Sequence, residues 1–182
     1  NQTDMAATLV GALVAPSVGV AGMGVVLRPK DYAAVAHLTR YVGWLMGVED
    51  EWLPRDFRDS IRVLYHTLGA LAEPDESSKQ LAMPMIDDPL IWHYDTMAAL
   101  RRRFARAQHL SVTSGFLGPR TMAALGLPRY VPPWYPLLRL PVNLARSVTA
   151  VVRRDGIARA AKRGDREQKA LMRTIIGDSG AT

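Results

Sequence analysis

The chain of 182 residues contains no cysteine. A chain without thiols can form no disulfide framework, no thiolate metal site and no cysteine nucleophile. It also carries no mark of an oxidising compartment. The pattern of a signal peptide, a basic start followed by an apolar run, is not visible near Asn1. We therefore expect a protein that is cytoplasmic or peripheral to a membrane.

Long hydrophobic runs are missing as well. No stretch reaches the roughly 18 uninterrupted apolar residues that usually cross a bilayer. Residues 10–27 come closest, but Pro16, Ser17 and several glycines interrupt them. We therefore predict no transmembrane segment, and we interpret this stretch as a buried helix followed by a tightly packed connection.

Acidic residues are scarce in the second part of the chain. Residues 1–100 carry 7 basic and 13 acidic side chains, a net charge of −6, whereas residues 101–182 carry 16 basic and 4 acidic ones, a net charge of +12. This asymmetry predicts an anionic partner or an acidic counter-surface for the C-terminal part. The run Arg101-Arg102-Arg103 has no aromatic residues between its arginines, so we expect no specific nucleic-acid binding.

What the sequence does contain is helical periodicity. Apolar residues recur at spacings of three and four, while the alternation typical of half-buried strands is rare. We predict an all-α fold of about six to eight helices, in a single helical domain or half-domain. Proline at the first helical position predicts helices that begin at Pro29, Pro54 and Pro119, and Gly47 predicts the end of the first. Further helices are predicted over residues 3–14, 77–85, 88–114 and 142–154, with a last basic helix from residue 157.

No standard catalytic signature is present. The chain has no phosphate-binding glycine loop, no His-Glu-x-x-His and no nucleophile elbow. Among its histidines, His66 and His109 are interpreted as solvated. His93 stands between Trp92 and Tyr94, and it is either an aromatic-packed structural residue or a pocket residue.

The helices predicted from Pro29 and Pro54 carry distinct stripes of side chains. The expected core stripe of the first comprises Ala34, Leu38, Tyr41, Val42 and Leu45. A second stripe, about 100° away, comprises Ala33, His37, Arg40 and Trp44. The expected apolar face of the other helix comprises Phe57, Ile61, Leu64, Tyr65, Leu68 and Leu71. The stripe around His37 suits a cofactor rim or a partner surface, and a surface helix with a snorkelling arginine is the open alternative.

Four segments carry a resemblance to a known family. They are Asn-Gln-Thr-Asp-Met-Ala-Ala-Thr-Leu at residues 1–9, Leu-Thr-Arg-Tyr-Val-Gly-Trp-Leu-Met-Gly-Val at residues 38–48, Trp-Leu-Pro at residues 52–54 and Arg-Thr-Met-Ala-Ala-Leu-Gly-Leu-Pro at residues 120–128. In order and spacing they resemble the rubber oxygenases, or latex-clearing proteins, and the related MpaB-type oxygenases. The resemblance extends from Asn1 to roughly Arg154.

The resemblance implies an all-helical fold with a globin-like core around haem b, and the cleavage of carbon–carbon double bonds in isoprenoid or other apolar substrates with dioxygen. The family's axial histidine, in an Arg-x-x-His context, and its catalytic residues lie upstream of the Asn-Gln-x-Asp segment. We therefore expect this chain to be a C-terminal half, with a globin-like core only when it is joined to the missing upstream half. No catalytic residue or metal ligand is expected here. The cofactor-binding candidates are Arg40, His37, Trp44, Thr8 and Met5.

On this interpretation residues 1–155 form the C-terminal half of the helical oxygenase domain, and residues 156–182 form a basic C-terminal helix and tail. The expected partners are the upstream half of the same protein and an apolar substrate, and a homo-oligomer is compatible with the sequence. A second hypothesis belongs to another class of protein. It is a non-catalytic helical module that binds a partner protein or an anionic surface through its basic C-terminal half.

Overall fold

The computed structural model describes residues 1–70 and 73–177, and every regular element within these residues is helical. The α-helices are α1 (Gln2–Leu13), α2 (Ala15–Gly22), α3 (Pro29–Leu45), α4 (Phe57–Ala70), α5 (Glu76–Asp87), α6 (Ala98–Ala124), α7 (Trp134–Val152) and α8 (Gly156–Ile176). Two short 3-10 turns, Asp50–Trp52 and Asp88–Ile91, lie between them. The prediction of an all-α fold is confirmed.

Local sequence signals set several helix ends. Helix α3 begins at Pro29 as predicted, and Gly47 follows its end with a φ of +78°, a left-handed conformation that glycine adopts without strain. The helix predicted over residues 3–14 begins one residue earlier, at Gln2. Asn1 is its N-cap, and the Asn1 side chain accepts a hydrogen bond from the backbone N–H of Asp4 at 2.9 Å.

Two other predicted boundaries differ from the structure. Helix α4 begins at Phe57 instead of Pro54, and the carboxylate of Asp56 accepts a hydrogen bond from the N–H of Asp59 at 2.8 Å. The long helix predicted from Asp88 is only a 3-10 turn there, and α6 starts later, at Ala98. The helix predicted to end at residue 114 continues to Gly118, whose φ of +72° and ψ of 169° are not helical, and a new helical stretch begins at Pro119.

The chain divides into two compact units, and the first comprises Asn1–Glu73 and Val142–Val148. Its buried apolar cluster consists of Ala6, Leu9, Val48 and Leu53, and Met5, Leu13, Val42 and Trp52 pack around it. Gly43 of α3 makes this packing possible. A Cβ atom at that position would lie 2.6 Å from Cδ2 of Leu9 and would also overlap Leu53, so a larger residue would have to displace the ends of two buried leucine side chains.

The second unit comprises Pro74–Pro141 and Thr149–Thr182. Its buried cluster consists of Ala82, Ile86, Leu110, Met122 and Leu127, with Leu125 and Val131 packed against it. The hydroxyl of Ser111, which is buried, donates to the carbonyl of Pro132 at 3.0 Å and accepts from the N–H of Tyr135 at 2.9 Å. These bonds fix the extended segment that leads into α7.

The predicted core stripe of α3 is wrong except at Val42, which is half-buried and packs against the buried cluster of unit 1. Leu38, Tyr41 and Leu45 are 49%, 51% and 60% exposed. The buried side of α3 consists instead of Ala36, Thr39 and Gly43. The close approach of α1 at Gly43 selects this small-residue side for burial, and the large apolar side chains project the other way.

The predicted apolar face of α4 is confirmed only in part, because Phe57 and Leu64 are half-buried and the Phe57 ring lies 4.5 Å from that of Tyr32, whereas the rest of the described face is exposed. Ile61, Tyr65 and Leu68 lie at the surface, while Ser60 and Thr67 are the buried residues of this helix. Leu71, the last residue of the predicted face, lies outside the described residues. Unit 1 therefore packs through small and hydroxyl-bearing side chains on α3 and α4.

One helical stretch in the described residues, Gln2–Gly22, is long and apolar enough to cross a membrane by length and composition. It comprises α1 and α2. Ala6, Leu9, Val10 and Val14 of this stretch are buried within unit 1. By length and composition, Gln2–Gly22 is therefore one candidate membrane-spanning helix, which the search for uninterrupted apolar runs in the sequence did not find.

Candidate functional site

The N-terminal turn of α3 holds the helix that carries the candidate residues. The guanidinium of Arg28 donates to both carboxylate oxygens of Asp31 at 2.8 Å, and the backbone N–H of Arg28 donates to Oδ2 at 3.0 Å. These hydrogen bonds, the Arg28 side chain's above all, lower the pKa of Asp31 from 3.8 to about 2. The carboxylate therefore stays ionised, and its negative charge interacts favourably with the positive, N-terminal end of the helix dipole.

A small cleft opens beside the last turns of α3. It has a volume of about 200 Å³ and is lined by His37, Arg40, Tyr41, Trp44, Asp50 and Leu53. His37, Arg40 and Trp44 come from the stripe that the sequence analysis singled out, and the structure brings all three to the same cleft.

Arg40 is engaged at the floor of this cleft. Its Nη2 atom donates to Oδ1 of Asp50 at 2.9 Å, and its Nη1 atom donates to the carbonyl of Leu53 at 3.3 Å. Sequence reasoning did not identify Asp50 as a site residue. The acidic run that begins at Glu49, four residues past the end of α3, was the available signal, because a short loop returns such residues to the preceding helix.

The rim of the cleft is aromatic and open. Trp44 is 64% exposed, and its ring stacks on that of Tyr41 with centroids 6.5 Å apart and planes inclined by 26°. The imidazole of His37 is exposed beside them. The site therefore combines one arginine–carboxylate pair with a stacked pair of aromatic rings that are both more than half exposed.

The other two candidates lie apart from the cleft. Met5 is half-buried and packs against the cluster around Leu9 and Leu53, while Thr8 is exposed on α1. Neither side chain lines the cleft. The structure thus brings together three of the five candidate cofactor-binding residues.

The remaining histidines have separate surroundings. His66 is exposed as predicted, next to Tyr65. The prediction for His109 is wrong, because its ring is half-buried and lies edge-on to Trp92 with centroids 5.4 Å apart. His93 lines a polar hollow of about 570 Å³ in the second unit, together with Tyr94, Asp95, Arg102, Arg173 and Thr174.

The cleft is small for the haem that the resemblance implies. At about 200 Å³ it is smaller than the roughly 300–1,000 Å³ of typical small-molecule pockets. Asp50 and a backbone carbonyl already take two of the N–H donors of Arg40, which leaves fewer donors for the propionates of a haem. These residues do not fit a whole haem by themselves. They form, at most, an edge of such a site.

The fold and the cleft define an all-α domain with an exposed apolar helix face beside a small arginine-bearing cleft. Residues 1–154 match the family described as "ER-bound oxygenase mpaB/B'/Rubber oxygenase, catalytic domain". The chain belongs to this family of oxygenases, as its motifs predicted. No curated protein and no solved structure matches the chain. Helix α8 follows the matched residues.

Proposed function

We propose that the chain is part of a haem-b-dependent oxygenase that uses dioxygen to cleave carbon–carbon double bonds of an isoprenoid or another apolar substrate. In this proposal the chain supplies walls of the substrate and cofactor pocket, and the iron ligand comes from polypeptide outside it. Membership of the oxygenase family supports the general reaction class.

The exposed face of α3 carries the proposal. Leu38, Tyr41 and Leu45 project from one side of the helix, and Trp44 extends this surface to the rim of the cleft. Large contiguous apolar surfaces mark ligand-binding or interaction sites in proteins. Ligand pockets are lined mainly by apolar and aromatic side chains with a few polar groups that fix orientation. The side of α3 that bears Arg40 and His37 beside Trp44 has this composition.

Arg40 is the polar group best suited to orient a carboxylate in such a pocket. A guanidinium carries five N–H donors in a planar fork. The guanidinium of Arg40 uses two of them, in its hydrogen bonds to Asp50 and to the carbonyl of Leu53. Donors therefore remain for a second carboxylate, such as a haem propionate. His37 at the rim, and Met5 and Thr8 on α1, remain proposed contacts of the cofactor region.

The visible spectrum of the natural protein in its full length tests the proposal. We expect a strong Soret band in the purified protein. A protein that purifies without haem, and shows no Soret band after haemin is added, would contradict the proposed function.

The source of the iron ligand needs a second titration, of the 182-residue chain alone with haemin. We expect no stoichiometric, histidine-ligated spectrum. A one-to-one spectrum that is lost on replacing His37 with Ala, but kept in a His66→Ala control, would place the ligand inside this chain and overturn that part of the proposal.

A further inference from the structure

Helix α8 (Gly156–Ile176) has two chemically distinct sides. At 3.6 residues per turn, its basic side chains fall within about a third of the helix circumference. They are Arg159, Lys162, Arg163, Arg166, Lys169 and Arg173. The large apolar side chains occupy the opposite side. They are Ile157, Leu171, Met172, Ile175 and Ile176.

The basic side is only partly neutralised by the chain itself. Arg159 pairs with Asp155, and Lys169 pairs with Asp165 at 3.0 Å. The other four basic side chains have no ion pair within the described residues. The helix carries six basic and two acidic residues, so it has a net charge of +4.

The apolar side is exposed along the same helix. Its five large side chains are between 36% and 47% exposed, and Gly156 is the only buried residue of α8. Contacts near the two ends hold the helix. Gly156 packs against Ala150, and the N–H of His93 donates to the carbonyl of Thr174 at 2.6 Å. The structure thus presents a basic arc and an apolar arc to the surroundings at the same time.

We propose that α8 binds the surface of an anionic lipid bilayer, lying in the plane of the interface. That interface offers a suitable environment to both faces of such a helix, its apolar face and its Lys/Arg-rich polar face. The apolar side enters the boundary between headgroups and acyl chains, and the basic side meets lipid phosphates and carboxylates. Charge complementarity on one side of α8 and apolar burial on the other together select lipid as the occupant.

Other anionic partners satisfy only one side of α8. A nucleic acid would neutralise the basic arc and leave the apolar arc in water, and α8 has no aromatic residue on which a base could stack. An acidic protein surface likewise addresses the charges alone. The helix lies outside the residues matched to the oxygenase domain, so this proposal is independent of haem binding.

The experiment is vesicle flotation with the whole 182-residue chain. Vesicles of phosphatidylcholine, with and without phosphatidylserine, are mixed with the protein at low and at high salt. We expect the chain to float with the phosphatidylserine vesicles at low salt, and to float much less with pure phosphatidylcholine or at high salt, because salt screens the attraction. Aggregated protein does not float and is not counted as bound.

Two double variants separate the two sides of the helix. Lys162→Ala with Arg166→Ala should lower the partition coefficient on phosphatidylserine vesicles by about thirtyfold, because each basic residue contributes about a five- to sixfold factor. Leu171→Ser with Ile175→Ser should lower it by about a hundredfold through lost apolar burial. Far-UV circular dichroism without vesicles verifies that each variant keeps its helix content.

Matched control variants carry the same changes elsewhere. Arg55→Ala with Arg58→Ala removes two exposed charges from the start of the α4 region, and Leu81→Ser with Met85→Ser removes two exposed apolar side chains from α5. Both controls should float like the parent chain.

Three results would overturn the proposal. They are the absence of flotation with either vesicle, equal flotation with and without phosphatidylserine, and equal losses in the α8 variants and their controls. Binding to immobilised polyglutamate without any flotation would likewise overturn it, in favour of an acidic protein partner.

Discussion

At the scale of single residues, Arg40 connects helix α3 to the segment that follows it. Its fork bridges Asp50 and the carbonyl of Leu53, and Asp50 is 79% exposed. Exposed ion pairs of this kind contribute about 0–1 kcal/mol to stability. The pair therefore has little effect on the free energy of unfolding, and it can exchange one carboxylate for another at small cost.

The first prediction concerns Arg40→Lys in the full-length protein. Lysine keeps the charge but loses the planar fork, so a propionate held by Arg40 would be held less well. We expect weaker retention of haem, measured by transfer to apomyoglobin, with the thermal midpoint of the haem-free protein nearly unchanged. Arg62→Lys, which alters the pair with Asp59 on α4, is the control and should alter neither quantity.

The reverse pattern would give Arg40 a structural role instead. A lowered thermal midpoint of the haem-free protein together with unchanged haem retention contradicts the contact with a propionate. It would identify the bridge to Asp50 as the whole function of the side chain.

At the scale of elements, α3 shows what periodicity predicts and what it does not. Its start at Pro29 and its end before Gly47 follow from local backbone chemistry, and both predictions are confirmed. The buried side was predicted wrongly, because the apolar pattern favours the side with the largest hydrophobic residues. The helix packs instead through Gly43 and its small neighbours, where α1 comes closest.

The second prediction concerns the pH dependence of stability through Asp31, at the start of α3. Its pKa falls from 3.8 to about 2 in the folded chain. A carboxyl whose pKa is lowered by folding contributes stability above its unfolded pKa, and this contribution is lost as the pH falls through the folded pKa. The stabilisation by Asp31 should therefore disappear between about pH 4 and pH 2.

Urea unfolding of the chain and of Asp31→Asn over this range is the measurement. We expect the variant to be less stable than the parent at pH 7, and the difference to shrink steadily towards pH 2. Glu51→Gln removes an exposed carboxyl that has no ion pair with any residue that the structure describes, and it should leave the stability profile of the parent unchanged. A pH-independent difference between Asp31→Asn and the parent would exclude the ionised pair with Arg28 as the cause.

At the scale of the whole molecule, few apolar side chains lie in the buried clusters and many large apolar side chains lie on the surface. The two clusters comprise four and five buried residues, while large apolar residues of α3 and α4 are exposed. Exposed apolar patches associate with a partner or with one another. We therefore propose that other polypeptide covers these faces in the functional oxygenase.

The third prediction is that the 182-residue chain self-associates when it is purified alone. Sedimentation velocity should show concentration-dependent association. Leu38→Gln with Leu45→Gln, two exposed positions of α3, should weaken this association about tenfold or more, since each loses apolar area that association would bury. Leu81→Gln, at an exposed position of α5, is the control and should have little effect.

A monodisperse monomer with a single cooperative unfolding transition would contradict this prediction. It would show that the exposed sides of α3 and α4 are stable in water and need no covering partner.

The sequence alone determined the helical class, several helix ends and the oxygenase family. These depend on local properties of the chain, such as a proline at a helix start, a glycine at a left-handed position and motif residues in a fixed order. The stripe of His37, Arg40 and Trp44 was also predictable, because helical spacing places these residues on one side of α3 whatever surrounds the helix.

Only the tertiary structure decided which side of α3 is buried and which carboxylate Arg40 binds. The first depends on a contact between α1 and α3, which are far apart in the sequence, and the second depends on the conformation of the loop that follows α3. Leu9 of α1 reaches α3 at Gly43, where no Cβ stands in its way, and this contact selects the small-residue side. The loop after Gly47 then returns Asp50 to Arg40. Periodicity describes one helix at a time, whereas burial and pairing are fixed by the neighbour that approaches it.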